Sequence, residues 1–510
     1  MRSKKTTILF LFIAAKFILH WLLIDDAYDL HRDEYLHLDQ AKHLAWGYDS
    51  VPPVTSWISS IILLLGNSVF WIKFFPALFG AFTIIIVWKI TELLGGNLFA
   101  LVLGATAVLL SAILRLNILY QPNSLEILCW TAFYYAIIQY LLSYNSKWLY
   151  VTFVIFAFGF LNKYNFIFVL LGLLPGILLT SERKVLLNKH LYFSMLLAML
   201  LVTPNLIWQW QNNFPVFYHL RELNDTQLIN VNRADFLKEQ LLFFISSLFI
   251  LIAAFISFFI YPPFKKFRLF FWGYLFTMLL YVYLKAKGYY AIGLYPVLLA
   301  FGSVYIESLL QQGWKRYLQP VAIVVCVVLS IPLFRIGFPT ASPAAIQEKL
   351  PQYKAFGLLR WEDGKDHNLP QDFADMLGWS ELALKVDALY DSIPDKEHTL
   401  VYCDNYGQAG AINYYSRHKR IQAVTKNSDY INWFPPADHE IKNIIMVKDT
   451  WDKDPARTRE KLLFASVMLK GRIENNYARE YGTSIYLLLN ANTSISAILH
   501  KEIAERNSRH

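Results

Sequence analysis

Long apolar segments recur along roughly the first two thirds of this 510-residue chain. A helix needs about 20 mainly apolar residues to cross about 30 Å of hydrocarbon, so runs near this length favour transmembrane helices. The approximate spans are 6–24, 70–94, 97–115, 122–142, 148–161, 163–180, 190–208, 237–261, 268–285, 289–311 and 317–335. The sequence therefore predicts a polytopic α-helical membrane protein with about eleven crossings, with residues 1–340 forming the membrane domain.

Basic residues collect in alternate connections between these spans. They are Arg2, Lys4, Lys5, Lys147, Arg183, Lys184, Lys189, Lys265, Lys266, Arg268, Lys315 and Arg316. Because cytoplasmic loops carry an excess of Lys and Arg, this pattern predicts a cytoplasmic N-terminus in an inner (plasma) membrane. The net charge of +9 follows membrane sidedness and gives no indication of nucleic-acid binding.

The segment after residue 340 has the composition of a soluble domain. About 45 of the 85 charged residues lie in this last third of the chain. Short apolar runs predict strands at 399–402, 441–447 and 484–489, and helical patterns fall at 408–415 and 456–469. This alternation favours an α/β layer domain. An odd number of spans places this tail, residues 341–510, on the periplasmic or extracytoplasmic side, where we expect it to cover the acceptor entrance.

The first outer loop, residues 25–69, is unusually rich in ionisable groups. Apolar residues at helical intervals between Asp33 and Trp46 predict a surface helix, which would begin near Asp33 and Glu34. Acids are favoured there by the helix dipole, so these two are either catalytic or ordinary first-turn acids. Together with Asp33, His31 and His37 could also bind a divalent cation, although their spacing is not a recognised signature. No other cofactor is predicted.

Three lysines lie at span ends on the outer face, where basic residues are otherwise scarce. Lys163 follows one span, and Lys285 and Lys287 precede another. An ammonium at the interface is suited to a lipid phosphate, although a lysine there can also merely anchor its helix. Glu126 lies one turn inside a neighbouring span, where a charge is costly; it is either functional or paired with a lysine.

Several of these motifs resemble the GT-C membrane glycosyltransferases, and family 39 in particular. That family includes protein O-mannosyltransferases and, more distantly, the enzymes that add aminoarabinose to lipid A. The strongest resemblance is in the first loop, at residues 32–35, 41–48 and 52–53. Further similar stretches are 121–123, 161–164, 287–290, 295–296 and 405–410.

This resemblance implies a GT-C fold and transfer of a sugar from a polyprenyl (undecaprenyl) monophosphate donor. The acceptor could be lipid A, another glycan, a lipid or a protein. Asp33 would be the essential carboxylate, with Glu34 as a second catalytic candidate. The candidates for the donor phosphate are Arg32, Lys163, Lys285, Lys287, Tyr289 and Tyr290. The candidates for the acceptor or sugar side are Tyr35, His43, Tyr48, Tyr120 and Asn123.

The physical requirements of glycosyl transfer agree with this set. A base must take the acceptor proton, and cations must stabilise the departing phosphate. A competing hypothesis is a transporter or flippase for lipid-linked substrates, which would carry ionisable groups near the bilayer midplane or paired broken helices. A third is an assembly scaffold whose tail binds envelope partners.

Overall fold

The computed structural model describes residues 2–508, and the first two thirds of them are almost entirely helical. The helices of this part are α1 Arg2–Leu22, α2 Arg32–Gln40, α3 Val54–Leu64, α4 Val69–Leu93, α5 Leu98–Leu109, α6 Ala112–Leu116, α7 Pro122–Ser143, α8 Lys147–Asn162, α9 Ile167–Leu178, α10 Lys189–Gln211, α11 Pro215–Thr226, α12 Arg233–Phe243, α13 Leu248–Ile260, α14 Arg268–Tyr283, α15 Tyr295–Leu309 and α16 Leu318–Ile336. The predicted polytopic helical architecture is confirmed.

The number of crossings is smaller than predicted. Within residues 2–508, six helical segments are long and apolar enough to cross a membrane, and up to eight are if two bent helix pairs each count as one span. Three predicted spans instead form the 12-residue α5 and the 16-residue α8 and α14. A helix of 16 residues is only about 24 Å long, which is less than the hydrocarbon thickness. The described residues thus hold six to eight segments of full spanning length, fewer than the eleven predicted.

Helices α7 and α15 form the centre of the membrane domain. The most apolar window is 67% buried in α7 and 83% buried in Gly288–Leu309, the segment that contains α15. The corresponding value is 11% both for α1 and for Gly313–Ile336, the segment that contains α16. Gly302 brings α15 close to α13, since a Cβ there would lie 2.0 Å from the Ile250 carbonyl oxygen. The central helices thus provide a rigid support for the groups at their ends.

The tail is an α/β domain with a five-stranded sheet. Its strands are β1 Thr399–Cys403, β2 Val424–Thr425, β3 Asn443–Lys448, β4 Phe464–Arg472 and β5 Ser484–Ala491. Its helices are α17 Pro343–Gln347, α18 Leu350–Ala355, α19 Gln371–Ala374, α20 Trp379–Ser392, α21 Tyr406–Tyr415, α22 Glu460–Leu463 and α23 Ile495–Ser508. The strand order is β2-β1-β3-β5-β4, with β1 parallel to β2 and β3, and β5 antiparallel to β3 and β4.

Most of the predicted tail elements are present, but the helix predicted at 456–469 is wrong. Only the four residues of α22 are helical there, and Phe464 begins strand β4. Pairing of β4 with β5 satisfies this backbone and overrides the local helical pattern, as tertiary context often does.

The first outer loop packs directly against the tail. Helix α2 ends at Gln40 instead of near Trp46, and turns follow it at residues 41–43. Leu30, Tyr35 and Leu36 share one apolar core with tail residues that include Trp379 and Ile412. The loop and the tail are therefore held together by a continuous hydrophobic contact.

Candidate active site

A cavity of about 1440 Å³ lies between the membrane domain and the tail. From the membrane domain its walls are formed by α2 and the loop that follows it, the start of α7, the residue after the end of α8, the segment around α11 and residues 287–290. The tail forms the rest of the wall. Pockets for small ligands typically measure 300–1,000 Å³, so this cavity has room for more than one substrate.

The start of α2 places Asp33 at the cavity wall. The His31 Nδ1 atom accepts the Asp33 backbone N–H at 3.2 Å, and the Glu34 carboxylate accepts the His31 backbone N–H at 2.7 Å. These two bonds form a capping box, which satisfies backbone groups that a helix start otherwise leaves unpaired. The capped first turn holds the Asp33 side chain in the cavity, 35% exposed.

The Asp33 carboxylate accepts one hydrogen bond on each oxygen. Tyr406 of the tail donates its hydroxyl to Oδ1 at 2.7 Å, and Gln121 at the start of α7 donates its amide to Oδ2 at 3.0 Å. Burial would raise the pKa of Asp33, but His31, Arg32 and the Tyr406 hydroxyl outweigh it and lower this pKa to about 2. Asp33 is therefore ionised at neutral pH.

Arg32 stacks on the same tyrosine. Its guanidinium carbon lies 4.4 Å from the centre of the Tyr406 ring, within the range of a cation–π contact. Arg32 lines the cavity, and among the described residues its buried Nε atom has no hydrogen-bond partner. This Nε–H is therefore open to a ligand in the cavity.

Lys163 reaches the cavity from the end of α8. Its ammonium lies 2.6 Å from the Asn123 amide oxygen and 2.9 Å from Glu126 Oε2. It also lies over the rings of Tyr290, at 4.6 Å, and Tyr289, at 5.2 Å. Of the two alternatives for Glu126, pairing with a lysine is thus the one observed. An ammonium has three donors, so Lys163 keeps one for a ligand.

Lys287 reaches the cavity, whereas Lys285 is not among the residues that line it. The Lys287 ammonium pairs with Glu362 of the tail and donates to the Gln227 side chain at 2.5 Å. Burial would lower the pKa of Lys287, but Glu362 outweighs it and raises this pKa. The ion pair also joins the membrane domain to the tail. Of the two lysines that flank Ala286, only Lys287 therefore lies where a ligand in this cavity could contact it.

Glu34 faces away from the cavity, which corrects its predicted catalytic role. Its side chain has no exposed surface, and its two oxygens lie 2.7 and 2.8 Å from the Lys73 ammonium on α4. It also accepts the Tyr120 backbone N–H at 2.6 Å and the His31 backbone N–H. Through these bonds Glu34 fixes α2 against α4 and against the start of α7.

Four residues predicted on the acceptor or sugar side are also structural. Tyr35 packs against Trp379, Tyr414 and Tyr415 of the tail. His43 stacks on Trp433 of the tail, with ring centres 4.2 Å apart. The Tyr48 hydroxyl donates to the Gln40 and His43 carbonyls, and the Tyr120 hydroxyl donates to the Thr55 carbonyl. None of the four lines the cavity, whereas Asn123 does. The aromatic groups of the loop motif mainly build its shape.

The predicted metal candidates are not gathered into a metal site. Within residues 2–508, no group of three or more His, Cys, Asp or Glu side chains is placed to hold a metal ion. The His31 Nδ1 atom caps α2, and the His37 Nδ1 atom lies 3.1 Å from the Gln40 side-chain oxygen.

The sequence did not indicate which tail residues contact the site. Tyr406 contacts Asp33 across 373 positions of sequence, and Glu362 contacts Lys287 across 75. Tyr406 lies within the 405–410 stretch that carries part of the family resemblance, but nothing in that stretch indicates which partner its hydroxyl has.

Residues 50–208 match the sequence model of a family described as dolichyl-phosphate-mannose-protein mannosyltransferase. The matched segment contains Asn123, Glu126 and Lys163 but not Asp33. No curated protein matches the chain.

Three solved structures have a similar fold. ArnT from Cupriavidus metallidurans bound to undecaprenyl phosphate is 13% identical, with a TM-score of 0.64 over 96% of this chain and 99% of that one. The apo state of the same protein is 11% identical, with a TM-score of 0.61 over 94% and 98%. The Archaeoglobus fulgidus oligosaccharyltransferase tethered with an acceptor peptide is 10% identical, with a TM-score of 0.50 over 88% and 69%. Together with the family match, the shared fold confirms the resemblance to the GT-C superfamily, whose fold this chain has.

Proposed function

We propose that this chain is a membrane glycosyltransferase that moves a sugar from a polyprenyl monophosphate to an acceptor on the extracytoplasmic face. The observation that carries the proposal is that the ionised carboxylate of Asp33 lines the same cavity as the cations Arg32, Lys163 and Lys287, at the ends of membrane helices. Glycosyl transfer from a phosphate donor needs both kinds of group within reach of each other.

Asp33 orients the acceptor and takes its proton. The acceptor oxygen or nitrogen attacks the anomeric carbon of the donor sugar, and the bond from that carbon to the phosphate oxygen breaks. The polyprenyl phosphate leaves with the electron pair, and the acceptor proton moves to an Asp33 oxygen. Because the pKa of Asp33 is low, its carboxylate is ionised and free to accept this proton.

The three cations receive the donor phosphate. Arg32 offers a planar set of donors, and Lys163 and Lys287 each keep one donor beyond their present partners. Tyr289 and Tyr290 flank Lys163 and line the same wall. Because the polyprenyl chain is apolar, we place it along the membrane helices. The ArnT structure bound to undecaprenyl phosphate supports this kind of donor.

The tail forms the acceptor wall of the cavity. Among its residues, Trp451 is 81% exposed at this wall, and Asp449 and Thr450 line both the main cavity and a neighbouring tail pocket of about 500 Å³. An acceptor larger than a single sugar would enter on this side. The sugar and the class of acceptor, whether lipid A, another glycan, a lipid or a protein, are for experiment to identify.

The transporter alternative is less well supported. Two bent helix pairs do occur, at Tyr164–Leu178 with Ser181–Leu187 and at Arg233–Phe243 with Ile245–Ile260. Their breaks, at residues 179–180 and 244, are not among the residues that line the cavity. A broken-helix transporter forms its substrate site from the broken ends, so this arrangement favours an enzyme.

The proposal is tested by mass spectrometry of envelope lipids, glycans and proteins. Cells with the wild-type chain, with Asp33→Asn and without the chain are compared. We expect a sugar mass that only the wild-type chain adds, because Asn cannot take the acceptor proton. Transfer that continues at the normal rate in Asp33→Asn would remove Asp33 from its proposed role, and equal amounts of the variant in the membrane provide the control.

A further inference from the structure

We infer that Tyr406, a residue of the tail, is a positioning residue of the transfer site. Its hydroxyl holds Asp33 and its ring holds Arg32, so the tail completes a site whose reactive groups belong to the membrane domain. This inference rests on the proposed function, and it adds a role for the tail beyond that of an acceptor wall.

The backbone of Tyr406 is fixed by its place at the start of α21. The Asn405 side chain caps this helix by accepting the Gln408 backbone N–H at 3.1 Å. In return, the Gln408 side-chain oxygen accepts the Asn405 backbone N–H at 3.4 Å. The Tyr406 backbone N–H itself donates to Asn427 at 3.3 Å. A capped helix start with a further tether gives the ring a defined position.

Gly407 brings this helix start close to the first loop. A Cβ at position 407 would lie 2.9 Å from the Trp379 ring and 3.2 Å from the Cβ atom of Arg32. The backbone after Tyr406 is thus packed directly against the beginning of α2, where a larger side chain would push the two elements apart. The close approach allows the Tyr406 side chain to reach both Arg32 and Asp33.

The two hydrogen bonds to Asp33 come from the two parts of the chain that form the cavity. Tyr406 belongs to the tail and Gln121 to the membrane domain, and each holds one carboxylate oxygen. A carboxylate has about four acceptor sites, so two remain for the acceptor hydroxyl. Held in this way, the carboxylate keeps one orientation before substrate arrives, which is what a site preorganised for proton transfer requires.

Asp33 is faced by charged or titratable groups from each element around it. From its own loop these are His31, Arg32 and His37; from the tail they are Tyr406 and Asp375; from the segment before α15 they are Lys287 and Tyr289. Of these, only Tyr406 donates a hydrogen bond to the carboxylate. Loss of that bond makes the ionised form of Asp33 less stable, and its pKa rises.

The test compares Tyr406→Phe with Tyr414→Phe in the full-length protein. Both substitutions remove one hydroxyl by which α21 contacts the membrane domain, but the Tyr414 hydroxyl donates to the Asn67 carbonyl at 3.1 Å and lies away from Asp33. We expect the acidic limb of the pH–rate profile to move to higher pH by roughly one unit in Tyr406→Phe, the size of one hydrogen bond to a charge. Tyr414→Phe should keep the wild-type profile.

A second substitution separates the ring from the hydroxyl. Tyr406→Phe retains the surface on which Arg32 stacks, so the KM for the donor should stay unchanged. Tyr406→Leu removes that surface as well, so its donor KM should rise several-fold. An unchanged pH profile in Tyr406→Phe, or the same shift in Tyr414→Phe, would overturn the inference.

A direct titration keeps this test independent of the proposed function. The infrared carboxylate band of Asp33 is identified by its loss in Asp33→Asn, and its pKa is followed in wild type and in Tyr406→Phe. A higher pKa in Tyr406→Phe supports the positioning role even if no transfer is found, whereas equal pKa values contradict it. Absence of transfer by the wild-type chain would count against the proposed function alone.

Discussion

Lys163 is the residue whose surroundings say most about donor binding. It is held by Glu126 and Asn123 and lies over two tyrosine rings, with one donor left over. A lysine that only anchored a helix would extend its ammonium into bulk water, whereas the Lys163 side chain is 16% exposed. Its partners hold the ammonium at the wall of the cavity.

Substitution of Lys163 should weaken donor use. We expect Lys163→Met, combined with Glu126→Gln so that no buried carboxylate is left unpaired, to lower kcat/KM for the donor about 100-fold, a typical effect of losing one group that stabilises developing charge. Lys285→Met is the matched control, because Lys285 neighbours the site in sequence but does not line the cavity. Equal activity of the double variant and the wild type would exclude Lys163 from phosphate binding.

The sequence motifs correctly indicate several residues that line the cavity, but they do not indicate which residues these contact. Asp33, Lys163 and Lys287 lie in short stretches that carry the family resemblance, and all three line the cavity. Glu34 belongs to the same first-loop stretch, yet its partner is Lys73, 39 positions away on α4. No local pattern relates these two, so their burial could not be predicted from the spacing.

At the level of elements, α2 is held between the membrane domain and the tail. The Glu34–Lys73 ion pair attaches one face of the helix to α4, and Tyr35 and Leu36 bury the other side in the core shared with the tail. Because Asp33 precedes Glu34 directly, the same contacts determine where the proposed base lies.

Breaking the Glu34–Lys73 pair should destabilise the protein. Lys73→Met leaves a fully buried carboxylate without its partner, and we expect a loss of about 3–5 kcal/mol in the free energy of unfolding. Adding Glu34→Gln should restore much of it, because no unpaired charge then remains. Thermal unfolding of the purified variants measures both effects, and a double variant no more stable than Lys73→Met would contradict the role of this pair.

The elements of the tail show where local patterns fail. Strands β1 and β5 and helix α21 agree with the patterns at 399–402, 484–489 and 408–415. The segment at 456–469 has apolar residues at helical intervals, yet from Phe464 onward it forms strand β4 and pairs with β5. The pairing partner lies at residues 484–491, beyond the window in which a helical pattern is judged.

For the whole molecule, the tail and the membrane domain pack together as one structural unit. They share the apolar core around Tyr35 and Trp379, the Lys287–Glu362 ion pair and the Tyr406–Asp33 hydrogen bond. Deletion of residues 345–510 would expose this core and remove Tyr406 from Asp33. Point variants therefore separate acceptor use from donor use better than a deletion does.

A glycosyltransferase of this kind must break the bond between the sugar and the polyprenyl phosphate. We would measure this cleavage with purified full-length protein in liposomes that contain an extract of envelope lipids, glycans and proteins as the source of donor and acceptor. Mass spectrometry then counts the polyprenyl phosphate released and the sugar gained by the acceptor. We expect one polyprenyl phosphate to be released for each sugar transferred, and both products to be lost in Asp33→Asn. Movement of the sugar-linked lipid across the bilayer with that bond intact would contradict it.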